Sequence, residues 1–270
     1  LTSVLPFLDA DELDPATTVQ MARVIGSSLA RIATAQIEAI ERRVSEQATE
    51  AAEAGEDSEA DAELVAAARR AAELLPMMPT LMEFVWRRHL GHAARRRILR
   101  AVTEEATEDV CVGFADLVGF TAQTQELPEE ELASVVERFE SIAYDEVARH
   151  GGRVVKMIGD EVMFMTDDVP TGARLALDLA EAYGNDPDLT DVRVGLAAGR
   201  VLERDGDVYG PVVNLPSRIV AIAYPGSVVV GPNVAAALED VEEFELRSIR
   251  SHYLKDIGRI RLWTMRAAGD

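Results

Sequence analysis

Asp116 closes the apolar run 110–115 and is followed by L-V-G-F-T, where Gly119 and Thr121 suit a tight turn into a helix. Backbone N–H groups left free at such a turn face an anion, and a phosphate suits them. A second aspartate, Asp160, sits at the tip of R-V-V-K-M-I-G-D-E-V-M-F, residues 153–164, between two β-like runs. Either carboxylate alone is an ordinary cap or turn residue. If the end of the first strand lies beside the hairpin tip, as the first and second β elements of a β-α-β-β unit can, the two aspartates and the phosphate-facing turn form the donor set that a pair of divalent cations needs. Lysine usage marks the same hairpin. Of 27 Lys and Arg residues only Lys156 and Lys255 are lysine, and Lys156 stands three residues before Gly159 on a strand that reads as buried.

The elements that must position these residues change character along the chain. Val19, Ala22, Ile25, Leu29, Ile32, Ile37, Ile40 and Val44 recur at helical spacing, which predicts one long amphipathic helix over 15–46. The stretch 50–63, E-A-A-E-A-G-E-D-S-E-A-D-A-E, is acidic and has no hydrophobic face, so a mobile linker or solvated helix end is expected. A second helix should run to 75, with Pro76 and Pro79 breaking it, and a third over 81–105 carries R-R-H-L-G-H-A-A-R-R-R. After Thr107, short β runs alternate with helices. Strands are expected at 110–115, 192–198, 227–230 and 259–265, hairpins around Gly159-Asp160 and Asp205-Gly206, and helices over 129–150, over 171–183 and from about 213. The order β-α-β-β-α-β is the ferredoxin-like arrangement, so the fold class is α+β preceded by an all-helical region.

Composition bounds the function. With 270 residues and 48% hydrophobic content the chain can bury a real core. A formal net charge of -21 argues against nucleic acid as a general partner, because phosphate-backbone binding needs a basic face. The single cysteine, Cys111, allows no intramolecular disulfide, and neither a signal peptide nor an apolar run long enough to span a bilayer is visible, so a cytoplasmic location is expected. The opening Leu1-Thr2-Ser3 lacks an initiator methionine, as a fragment or a processed or alternative start would.

Four ordered motifs, F-A-D-L-V-G-F-T, K-M-I-G-D-E, R-V-G-L-A-A-G-R-V and D-V-Y-G-P-V-V-N-L-P-S-R, resemble the class III nucleotide cyclase catalytic domain over about 107–266. The arrangement is similar to mycobacterial-type soluble two-domain cyclases, which implies an all-helical regulatory or dimerisation domain over 1–106, with a linker helix at 81–105, and a catalytic domain over 107–270. The resemblance implies that Asp116, Asp160 and Leu117 hold two Mg²⁺ or Mn²⁺ ions. It implies that Lys156 and Asp207 read the base, that Arg193 and Lys255 hold the triphosphate with Phe120 and Thr121 also at the substrate, and that Asn214 and Arg218 stabilise the transition state. A lysine donor and an aspartate acceptor match the ring nitrogen and exocyclic amine of adenine, whereas guanine presents the reverse order, so ATP is the expected substrate. The resemblance also implies a homodimer with shared sites, in which Lys156 and the metal carboxylates of one chain meet Asn214 and Arg218 of the other.

Two departures stand out: Pro216, expected in the first turn of its helix, and Asp256, where the family commonly has glycine. Rival readings are a guanylate cyclase, a diguanylate cyclase suggested by I-G-D-E-V, and a catalytically inactive nucleotide-binding dimerisation domain. The diguanylate reading fits poorly, since Ile158 replaces a glycine and N-L-P-S-R has no counterpart there. In the helical region, His89 and His92 read as a metal pair, a proton-sensing pair or plain surface residues. The run Arg95 to Arg97 reads as a contact to anionic lipid or to an acidic protein surface.

Overall fold

The computed structural model describes residues 14–53, 69, 73, 75–102, 109–120, 122, 124 and 127–269. The chain divides into two compact units, Leu1–Glu104 and Glu105–Asp270.

In the first unit, helix α1 spans Pro15–Glu53. Asp14 caps it, accepting hydrogen bonds from the backbone N–H groups of Ala16 and Thr17 at 2.9 and 3.0 Å, with Pro15 at the first helical position. The helix runs seven residues beyond the expected end at 46, because the Glu- and Ala-rich start of the acidic stretch has high helix propensity; positions 54–63 lie outside the described residues. The second expected helix falls mostly outside them too. A 3₁₀ turn at Leu75–Met77 leads into α2, Met78–Val102. This helix starts three residues earlier than expected, since Pro79 falls in the first turn, where a missing N–H costs nothing. The apolar stripe of α1 is exposed: Val19, Ile25, Leu29, Ile32 and Ile37 are each at least 40% accessible. On α2, Phe84, Trp86 and Leu90 are also exposed. Among the described residues no helix is long and apolar enough to cross a membrane.

The second unit is built on a seven-stranded sheet. Strands β1 (Val110–Leu117), β2 (Arg153–Ile158), β3 (Glu161–Thr166), β4 (Val192–Gly199), β7 (Val228–Val230), β8 (Phe244–Ser248) and β11 (Trp263–Ala267) lie in the order β2-β3-β1-β4-β7-β11-β8. Its first four strands are the ferredoxin-like order, joined by α3 (Glu129–Arg149) and α4 (Val169–Gly184). Strands β5 (Leu202–Arg204) and β6 (Asp207–Tyr209) form a hairpin, as do β9 (His252–Leu254) and β10 (Gly258–Ile260); helices α5 (Pro211–Val220) and α6 (Pro232–Ala237) complete the unit. The strand expected at 259–265 is two: β10 pairs with β9, Leu262 is fully buried between them in sequence, and β11 joins the main sheet. Strands β8 and β9 and helix α6 were not anticipated.

Alternation along the strands sorts side chains to two faces. Cys111, Ala115 and Leu117 of β1, Val162 and Phe164 of β3, and Val192, Val194, Leu196 and Ala198 of β4 join one core with Phe139 of α3 and Leu175 and Leu179 of α4. Val110, Val112 and Phe114 of β1 and Met163 and Met165 of β3 join another with Val208 and Val220. Gly113 allows tight β1–β3 packing, because a Cβ there would lie 2.1 Å from the Phe164 ring. Gly195 serves α5 likewise, since its Cβ would lie 2.5 Å from the Pro216 carbonyl oxygen. Pro216 sits in the second turn of α5, not in the first as expected: the helix begins at Pro211. It is buried and leaves the carbonyl four residues back without an intrahelical donor.

Candidate active site

The same alternation builds a row of charged groups on the face opposite α3 and α4. Asp116 shares its face with Val112 and Phe114, Glu161 with Met163 and Met165, and Arg193 lies between the inward residues Val192 and Val194. Across the three strands, Asp116 pairs in register with Glu161 on β3 and with Arg193 on β4. Asp160 is at the adjoining turn, where the Leu117 N–H donates to its carbonyl oxygen at 3.1 Å. The end of β1 therefore meets the hairpin tip as expected, but through β3 and not through β2, because β3 lies between them.

Glu161 was not anticipated as a site residue. Its signal was its register: two residues before Met163, directly across from Asp116. Burial pushes its carboxyl up to about 7, with Asp116 and then Asp160 adding to the effect. Asp116 is also raised, by burial and then by Asp160, against the opposing Arg193 guanidinium, whose Nη1 lies 3.9 Å from Asp116 Oδ2. This is a cluster of carboxylate oxygens poor in compensating positive charge, an all-oxygen donor set that fits hard divalent cations such as Mg²⁺ or Mn²⁺. Arg193 Nε is buried and has no hydrogen-bond partner among the described residues. Phe120 is buried in the core on the α3/α4 face, so a phosphate contact there would come from its backbone; Thr121 lies outside the described residues.

Lys156 reaches this face through a bulge. The β2–β3 register shifts between Val154 and Lys156. Val154 and Met157 both pack toward α3 and α4, whereas Val155 packs on the opposite side. Regular alternation would have put Lys156 beside Val154, facing the helices; the extra residue turns it to the other face. There its Nζ donates to Asp207 Oδ2 at 2.7 Å and Oδ1 at 3.0 Å. Burial alone would raise the Asp207 carboxyl, but the Lys156 bond, the Val208 N–H and the Arg153 charge outweigh it and hold it below its ordinary range. Arg153 braces the β5–β6 hairpin by donating to the Gly206 carbonyl at 3.2 Å.

A third group lies at the start of α5. Asn214 and Arg218, four residues apart and both exposed, share a helical face. Arg218 Nη2 lies 3.6 Å from Asp256 Oδ2. Asp256 takes φ 65° in the β9–β10 turn, which explains why glycine suits this position, and it follows the exposed Lys255. Among the described residues no hydrogen bond or ion pair joins Asn214 or Arg218 to Asp116 or Asp160. The structure joins Lys156 to Asp207, the two residues expected to act together on the base.

A carboxylate pair at paired strand ends, a lysine–aspartate pair beside it and an Asn-x-x-x-Arg helix on a ferredoxin-like sheet define a class III cyclase catalytic domain. Residues 102–267 match the adenylate and guanylate cyclase catalytic domain family. The chain belongs to that family. It is 40% identical over 232 residues to an adenylate cyclase of Streptomyces coelicolor, covering 86% of this chain and 58% of that protein. It is 41% identical over 226 residues to an adenylate cyclase of Streptomyces griseus, covering 83% and 54%. The chain thus spans little more than half the length of these curated relatives. The catalytic core of a rhodopsin-guanylyl cyclase with converted specificity, in complex with ATPαS, superposes with a TM-score of 0.55 at 20% identity, covering 60% of this chain and 97% of that one, which supports the fold.

Proposed function

We propose that this chain is a cytoplasmic adenylate cyclase that converts ATP to cyclic AMP and pyrophosphate at sites shared between two copies, with residues 1–106 as a regulatory and dimerising region and 107–270 as the catalytic domain. The observation that carries the reading is the Lys156–Asp207 pair, directed by the bulge to the face that holds Asp116 and Glu161. On binding ATP, Lys156 exchanges its bond to Asp207 for one to the adenine ring nitrogen, and Asp207 accepts from the exocyclic amine. Guanine would leave both groups mispaired, at about 1–3 kcal/mol each.

Asp116 and Asp160, with the main chain at Leu117, would hold the two Mg²⁺ or Mn²⁺ ions. Bound there, they lower the pKa of the ribose 3′-hydroxyl and neutralise charge on the α-phosphate. The 3′-hydroxyl would give its proton to solvent water as its oxygen attacks the α-phosphorus in line, the new P–O bond forming while the bond to the departing pyrophosphate breaks. Arg193, with its unpartnered buried Nε, and Lys255 hold the triphosphate; Asn214 and Arg218 meet charge developing in the transition state. Because no ion pair or hydrogen bond among the described residues brings Arg218 to the metal carboxylates, the reading assigns these two sets to opposite copies of a head-to-tail dimer. The exposed apolar stripe of α1 supports helix pairing between copies, and His89 is exposed on α2 within the basic stretch; His92's side chain lies outside the described residues.

The test is turnover of ATP and GTP by the purified chain with Mn²⁺ and with Mg²⁺, alongside Asp116→Ala and Asp160→Ala. Cyclic AMP formation that strongly exceeds cyclic GMP formation and falls to background in both folded variants is expected. Substantial activity in either variant would overturn the metal assignment, and a preference for GTP would overturn the base assignment.

A further inference from the structure

On the α3/α4 side of the sheet, away from the nucleotide site, lies a second cluster of ligating side chains. Glu146 and His150, four residues apart at the end of α3, share one helical face, and Asp178 faces them from α4. One carboxylate or imidazole atom from each lies within 4.8 Å of the other two. Glu146 is 6% exposed, and its Oε2 accepts no hydrogen bond. The other two polar residues that are buried as a whole among the described residues are hydrogen-bonded: Thr166 donates to the Asp168 carbonyl, and Asp186 accepts from Arg138 and the Asp188 N–H. Glu146 has only an ion pair at its rim, Arg149 Nη1 at 2.8 Å. That guanidinium faces the same Oε2 from the solvent side without a hydrogen bond of good geometry, and a cation held between Glu146, His150 and Asp178 would neutralise the carboxylate from the buried side.

We propose that Glu146, His150 and Asp178 form a binding site for a borderline transition-metal cation of the Zn²⁺ class, distinct from the catalytic carboxylates. One imidazole and two carboxylates are a familiar donor set for such ions, and the imidazole selects against Mg²⁺ and Ca²⁺. His150 Nε2 and Asp178 Oδ2 lie 2.8 Å apart, close enough for one cation to bridge them. Burial holds the Glu146 carboxyl above its ordinary range, which metal binding would reverse. His150 and Asp178 also line an open groove of about 760 Å³, so a fourth coordination position faces solvent. Gly151 and Gly152 connect this point to β2, the strand that carries Lys156, so the ion would pin the helix end that feeds the base-reading strand.

The experiment uses the untagged full chain carrying Asp116→Asn and Asp160→Asn, which silences the catalytic carboxylates. Zn²⁺ is titrated in competition with a chromophoric chelator. One equivalent should bind, and His150→Ala, Glu146→Gln and Asp178→Asn should each weaken it by at least the ~10–100-fold seen for loss of supporting groups. X-ray absorption should give mixed nitrogen and oxygen ligation with Zn–N near ~2.0–2.1 Å. His89 and His92 remain in every variant, so binding that survives folded His150→Ala unchanged belongs elsewhere and overturns the proposal, as does absence of binding in the parent chain. Should His150→Ala fail to fold, His150→Gln serves in its place.

Discussion

Replacing Glu161 by glutamine in metal-free protein should stabilise the chain at high pH and leave it unchanged at low pH. The sign follows from proton affinity. The fold holds the Glu161 carboxyl at about 7 against an ordinary 4.5, so between these values the native state binds more protons than the unfolded state. Stability from this group is therefore lost as pH rises through that window, and below about 4.5 both states are protonated. At about 1.4 kcal/mol per tenfold, the displacement corresponds to an upper bound of about 3.5 kcal/mol; because the side chain is only half-buried, solvent screening reduces this to about 1–2 kcal/mol. Glutamine keeps the shape without the charge. Urea unfolding in EDTA, followed by circular dichroism, should show the variant more stable than the parent by about 1–2 kcal/mol at pH 8 and equal to it at pH 4. Comparing the two proteins cancels the distant carboxylates, while Asp116 and Asp160, whose charges help to raise Glu161, are relieved of its repulsion in the variant and widen the gap in the same direction. Mg²⁺ or Mn²⁺ should close the gap at pH 8 by binding the charged parent. A gap of the same size at both pH values would refute the crowded-carboxylate account.

Reversing the hydrogen-bonding sense with Lys156→Glu and Asp207→Ser should lower the ATP-to-GTP ratio of kcat/KM by about 5- to 150-fold, the equivalent of 1–3 kcal/mol; an unchanged ratio would place base recognition elsewhere. Asp256→Gly removes the positive-φ strain and releases Arg218, so turnover should rise while stability changes by less than about 0.5 kcal/mol, read by steady-state kinetics and thermal melts. Asp116→Ala and Asn214→Ala chains, each nearly inactive alone, should recover roughly a quarter of parental activity when co-expressed, because about half of randomly formed dimers are mixed and each has one intact site. If the helical region carries pH control, the full chain and a fragment starting at Thr107 should differ in their pH–activity profiles; identical profiles would exclude it.

Much of the fold was legible because hydrophobic periodicity records burial directly. The ferredoxin-like order, the α3 and α4 faces and the two hairpin tips all follow from it. The C-terminal strands were less so: β8 to β11 are three to five residues long, too short for a period to establish itself. The extent of α1 was misjudged because an absent hydrophobic face argues against burial, not against a helix. In the site, motif residues were legible by resemblance, but Glu161 and Glu146 were not, since a single acid in an apolar pattern gives no sign of whether its partner is solvent, a cation or another acid.

The bulge in β2 is the feature on which sequence and site diverge most. Strict alternation places Lys156 on the side of Val154, under the helices, where an ammonium would have to shed its hydration without a counter-charge. One inserted residue reverses that outcome. Val155 and Lys156 then both lie away from the helices, the valine packing against the apolar cluster that includes Met163 and Met165 and the lysine meeting Asp207. The structural reason that a lysine stands on an otherwise apolar strand is thus the register slip beside it. Arginine, with its longer planar fork, would not fit the 2.7 Å contact to Asp207 in the same geometry. Deleting Val155 should restore regular pairing and turn the lysine inward, which predicts loss of the Asp207 contact and a destabilised β2, in contrast to Lys156→Met, which keeps the bulge and removes only the charge.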